Sequence, residues 1–164
     1  MITKFDPVDS LTKGAEPFTA ITWSEKYAVG IDLIDNQHHK LVNLTNELYE
    51  ACLVRDEALG TVFKEAMGRM VEYVHFHFAA ELELLDRIKF PDYPEHKKQH
   101  DELVRKILDA AGEYNQGKKF VPNNFVRILK DWVFGHIAIY DQNYAAYVKD
   151  QKHKGLLTDE QING

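Results

Sequence analysis

Residues 73–81 read Tyr-Val-His-Phe-His-Phe-Ala-Ala-Glu, two histidines set between aromatics and followed by a glutamate. Taken alone, such alternation fits a half-buried strand, whose side chains point to opposite faces by turns. A longer window decides otherwise. Met70, Tyr73, Val74, His77, Glu81, Leu84, Leu85 and Ile88 recur at the spacing of one helix face. That period extends well beyond the stretch on both sides, so a helix from about Asp56 to Ile88 is expected. Asp56 can cap its start, with Leu59 on the first turn. Phe90-Pro91 should end it, because proline lacks the N–H and disfavours a helical residue before it.

Three further segments carry the same period. His38, Leu41, Val42, Thr45, Leu48, Tyr49 and Cys52 form one stripe, capped by Asp35 or Asn36 and ending near Arg55. His96, His100, Leu103, Val104, Ile107, Leu108 and Ala111 form another, started by Tyr93-Pro94 and stopped at Gly117. Phe125, Ile128, Leu129, Trp132, Val133, His136, Ile139 and Tyr140 form the last, from Pro122 to about Val148. Four amphipathic helices with short connections predict an all-α fold, an antiparallel up-down-up-down four-helix bundle. An extended N-terminal arm (1–22), the bundle (23–150) and a polar, loosely held C-terminal tail (151–164) complete the expected organisation.

Composition bounds the function. The chain has 164 residues, 45% of them apolar, enough for one domain with a proper core. No run approaches the roughly 18 apolar residues of a membrane span. The first twenty residues lack the apolar stretch of a secretory signal. Cys52 is the single cysteine and can form no internal disulfide, which fits a reducing cytoplasm. A net charge of -6 disfavours nucleic acid. Neither a membrane nor a particular protein partner is indicated.

The stripes should be apolar throughout, yet each contains ionisable residues: His38, then His77 and Glu81, then His96 and His100, then His136. Burying such groups unpaired is costly, so a common partner is expected. His77 and Glu81 are four apart, about 40° around an ideal helix, and share a face. His96 and His100 repeat that spacing, which lets two imidazoles hold one metal ion. His75 lies about 200° from His77 and His39 about 100° from His38, so both should face outward. A lone core histidine is usually a packing residue; six groups spread over four helices point to a metal instead.

The pieces Ile34-Asp-Asn-Gln-His38, His77-Phe-Ala-Ala-Glu81, His96-Lys-Lys-Gln-His100 and His136-Ile-Ala-Ile-Tyr-Asp141 resemble the bacterial haemerythrins over about residues 20–148. The resemblance implies two non-haem irons. His96, His100 and His136 would hold one, His38 and His77 the other, with Glu81, Asp141 and an oxo or hydroxo group bridging them. It also implies O2 as ligand at an open position on the His38/His77 iron, within a pocket of Leu41, Phe78, Trp132 and Ile137. Asp141 enters only through the resemblance: five residues after His136, it falls about 140° away on an ideal helix. The function expected is reversible O2 binding for storage, delivery or sensing, with no catalytic residues. The alternatives are a di-iron peroxidase, oxidase or nitric-oxide-handling enzyme at the same position, and a structural protein holding zinc, whose preference for four ligands per ion fits less well.

Overall fold

A computed structural model describes residues 20–53, 59–116 and 122–164. A single 3-10 turn, Glu25–Tyr27, precedes the first long helix, α1 (Asp32–Cys52). Then follow α2 (Leu59–Arg87), α3 (Tyr93–Asn115) and α4 (Pro122–His136). A π-helical turn, Ile137–Asp141, joins α4 to α5 (Gln142–His153), and a short α6 (Asp159–Asn163) closes the chain. Among the described residues there is no strand, and Tyr73–Glu81 lies wholly within α2. Helices α1 to α4 adjoin their sequence neighbours, and α1 also packs on α4, which makes the expected four-helix bundle. None of the described helices is long and apolar enough to cross a membrane.

The ends differ from expectation in instructive ways. Helix α1 begins a turn early, at Asp32. Gly30, at φ +76°, turns the chain so that the Val29 and Gly30 amides donate to the Asp35 carboxylate at 2.7 and 3.0 Å. Asp35 therefore secures the start from inside the first turn rather than preceding it. At the far end of α2 the chain closes a Schellman motif without glycine. Lys89 takes φ 54°, its N–H bonds Asp86 O, and the Phe90 N–H bonds Leu85 O at 2.9 Å. Phe90 and Leu85 are both buried in one apolar cluster, the contact that accompanies this motif. Asp56, Gly117 and the arm up to residue 19 lie outside the described residues.

Most stripe positions are buried, with exceptions. Leu108, Ala111, Ile128 and Ile139 are exposed, while Val126 and Ile137 lie inside. Ile139 falls on the π turn, whose extra residue rotates the inward face onto Ile137 and Asp141. The tail also departs from a loose end. Ile162 is buried, Thr158 and Gln161 form a capping box, and Arg87 donates to the Gln161 and Ile162 carbonyls. Polar composition concealed an apolar anchor, Ile162, with Leu157 packed against the same cluster.

Two apolar clusters make the core. One holds Leu41, Leu48, Met70, Val74, Phe78, Leu103, Leu129, Val133 and Ile137. The other holds Ile34, Leu84, Leu85, Ile88, Phe90, Tyr144 and Val148. In α1 and α2, and across the α4–π–α5 run, ionisable residues separate members of the first cluster from members of the second. His38 stands between Ile34 and Leu41, Glu81 between Phe78 and Leu84, and Asp141 between Ile137 and Tyr144. In α3, His96 and His100 follow Phe90 and precede Leu103. The polar residues form a layer across the bundle.

Candidate metal centre

That layer brings together His38, His77, Glu81, His96, His100, His136 and Asp141, each at most 4% exposed. Glu81, His96, His100 and His136 present donor atoms within 4.8 Å of one another, and so do His38, His77 and Glu81. His75 and His39 are exposed, as their helical phase requires. His39 lies under Trp23, with ring centroids 4.2 Å apart.

Two carboxylates join the histidine groups. Glu81 Oε2 lies 3.0 Å from His100 Nε2 and 3.1 Å from His96 Nε2, while Oε1 is 4.0 Å from His38 Nε2. Asp141 Oδ1 lies 3.1 Å from His136 Nε2, and Oδ2 lies 3.2 Å from His38 Nε2. The π turn makes this possible. Its i→i+5 pattern closes a turn with one residue more than an α-helix, so the fifth residue after His136 returns beneath it.

Electrostatics within the layer are finely opposed. Burial pushes the Glu81 carboxyl up, but hydrogen bonds with His100 and His96 hold it well below the usual range. Burial and Glu81 push Asp141 up, and His136 and His38 reverse this to a lowered value. Burial pulls His38 and His96 down, yet Asp141 and Glu81 respectively leave both raised. His100 is lowered and His77 falls to about 4, in both cases chiefly by burial.

The donor set fits a metal. His136 Nε2 lies 3.0 Å from His100 Nε2 and 3.3 Å from His96 Nε2. Neutral imidazoles brought together through their acceptor nitrogens repel unless a proton or cation lies between them. Both oxygens of Asp141 and both ring nitrogens of His38 are buried without a hydrogen-bond partner. Orphaned donors of this kind are costly in a dry core and are the atoms a cation would satisfy. Imidazole and carboxylate together suit iron.

Two supporting residues were not singled out from sequence. Gln37, the residue before His38, accepts from His77 Nδ1 through Oε1 at 2.9 Å, which leaves His77 Nε2 as a free donor atom toward the layer. Tyr144 is fully buried and its hydroxyl donates to Glu81 Oε1 at 2.7 Å. Its signal was its place three residues after Asp141, on the inward face of the last helix. Of the expected pocket residues, Leu41, Phe78 and Ile137 belong to the first apolar cluster and Trp132 packs on it. Phe78 stacks on His100 at 3.6 Å and Trp132 on His136 at 4.5 Å, so both rings lie against the three-histidine group.

Comparison with known proteins agrees with this geometry. Residues 29–148 match the family model described as "Hemerythrin HHE cation binding domain". A Bacteriohemerythrin of Stenotrophomonas maltophilia is 30% identical over 79% of this chain and 82% of its own. One from Clostridium acetobutylicum is 30% identical over 74% of this chain and 96% of its own. A wild-type hemerythrin crystal structure superposes with a TM-score of 0.71 at 22% identity, covering 78% of this chain and 97% of that one.

Proposed function

The chain belongs to the haemerythrin family, and from that premise we propose that it binds dioxygen reversibly at a non-haem di-iron centre, to store, deliver or sense the gas. The observation that carries the reading is Asp141, whose two oxygens reach the two histidine groups at 3.2 and 3.1 Å. His96, His100 and His136 would hold one iron and His38 and His77 the other, with Glu81 and Asp141 spanning the pair. When bound, the iron pair supplies the electrons that oxygen binding needs and one coordination position for the gas.

The remaining work belongs to the protein. The His38/His77 side has fewer protein donors, so it is the side with room for a ligand. Gln37 fixes the tautomer of His77. Tyr144 fixes the Glu81 carboxylate by donating to Oε1. Leu41, Phe78, Trp132 and Ile137 wall the layer with apolar groups that exclude water, and the stacking of Phe78 and Trp132 holds two imidazole planes. No side chain is assigned a catalytic role. Residues 23–150 are the binding unit, flanked by the arm (1–22) and tail (151–164). The single thiol of Cys52 supports a reducing, cytoplasmic setting.

Anaerobic reconstitution with Fe(II), admission of O2 and its removal test the reading through the visible spectrum and iron content. Two irons per chain and a charge-transfer colour that appears and bleaches reversibly are expected. Irreversible oxidation with peroxide turnover favours a di-iron enzyme, and no retained iron sinks both.

A further inference from the structure

Every residue of the polar layer is buried, so a metal ion needs a way in. Beside the layer a cleft of about 260 Å³ opens between the start of α3 and the π turn, lined by Phe90, Asp92, Glu95, His96, Tyr140 and Asn143. A cation with six waters, at about 30 Å³ per water, needs roughly 200 Å³. His96 is at once a wall of this cleft and a member of the layer. Its Nε2 meets Glu81 Oε2 at 3.1 Å, while Nδ1 is buried with no partner.

The rim is acidic and free to act. Asp92 immediately precedes α3, and its carbonyl accepts the His96 N–H at 3.0 Å. An aspartate there ordinarily caps the helix with its carboxylate. Here, among the described residues, the exposed Asp92 carboxylate has no hydrogen-bond or ion-pair partner. Glu95 accepts from Gln99 at 2.9 Å and lies 3.6 Å from Lys98, which offsets part of its charge and leaves Asp92 the stronger pole.

We propose that this cleft is the route by which a divalent cation loads into the layer: Asp92 and Glu95 collect the hydrated ion, and His96 takes it over toward Glu81. The proposal rests on the di-iron reading above. Oxygen ligands suit a hydrated divalent ion, whereas imidazole suits iron in its final site. A carboxylate-lined mouth also raises the local cation concentration and the rate of capture.

The test is uptake kinetics by anaerobic stopped flow, mixing the metal-free full chain with Fe(II) and, separately, Co(II). The D92N/E95Q variant should load about tenfold more slowly at low salt. The difference should shrink in 1 M salt, where the screening length is about 3 Å. Final metal content and the spectrum of the oxygenated protein should match those of the unaltered chain. D109N/E113Q, with the same change of charge further along α3, should load at the unaltered rate. Equal rates for D92N/E95Q and the unaltered chain, or equal slowing in both variants, overturn the route and leave the di-iron reading standing. An unaltered chain that takes up no metal overturns both.

Discussion

Glu81 and Tyr144 set the balance of the layer one atom at a time. The Tyr144 hydroxyl is the single protein donor to Glu81 Oε1 among the described contacts, and both groups are fully buried. Replacing Tyr144 with phenylalanine keeps the ring's packing and removes only that donor. A hydrogen bond to a charged acceptor contributes about 1.5–3 kcal/mol, so Y144F should destabilise the metal-free protein by that amount in urea unfolding. A loss under about 0.5 kcal/mol would mean that Glu81 is not held as a carboxylate by this contact. Proton linkage gives a second expectation. His38 and His96 have raised pKa values in the metal-free protein, so their stabilising contribution is fully present below about 6.5 and is lost as pH rises through the raised values. Glu81, held low, contributes above the usual carboxylate range, and that contribution is lost as pH falls through its depressed value. A metal must displace the imidazole protons. Iron affinity, measured by competition with a chelator, should therefore fall as pH drops from about 8 to about 5.5, with protons released on binding. A flat profile would argue against these histidines as ligands.

At the scale of elements, the decisive one is the π turn. The helical period identified α2 against its local alternation, and four-residue spacings on buried stripes identified His77 with Glu81 and His96 with His100. Those positions were legible because an α-helix converts spacing into direction. Asp141 was not legible by that rule, since five residues of ideal helix turn it about 140° from His136. Nothing in Ile-Ala-Ile-Tyr-Asp announces a π turn, and it was the family's motif, not the spacing, that pointed to Asp141. The same turn explains why Ile139 is 59% exposed where the stripe expected it inside. Inserting one alanine after the exposed Ala138 makes Asp141 the sixth residue after His136 and should rotate everything beyond the turn by about 100°. Asp141 would leave the layer, and Tyr144 would leave the second apolar cluster. The insertion should lower iron content below two per chain and also reduce thermal stability. Full iron content in a folded insertion variant would show that the five-residue turn does not position Asp141.

Across the whole molecule, the two apolar clusters differ in what completes them. The first is closed by α1 to α4 and the π-turn residue Ile137, whereas the second is finished by the tail, through Ile162. Burying an isoleucine stabilises by about 1.5–3 kcal/mol. Two partly exposed hydrogen bonds from Arg87 add about 1 kcal/mol each, and an exposed Lys152–Asp159 ion pair contributes at most about 1 kcal/mol. Against this, ordering the five residues of α6 costs about 5–10 kcal/mol of backbone entropy, only partly returned by its own hydrogen bonds. Beside this contact a hollow of about 270 Å³, lined by Leu33, Ala80, Leu84 and Ile162 among others, stays open at the surface. The tail is therefore a weakly docked unit that opens without the bundle. Ile162→Asp should release it, bringing the amides of residues 160–163 close to free-peptide exchange rates. The bundle's Tm should fall by less than about 4 °C, the shift that 1 kcal/mol produces in a chain of this size. A fall beyond about 10 °C would instead mean that the tail unfolds together with the second cluster, and through Tyr144 with the metal layer itself.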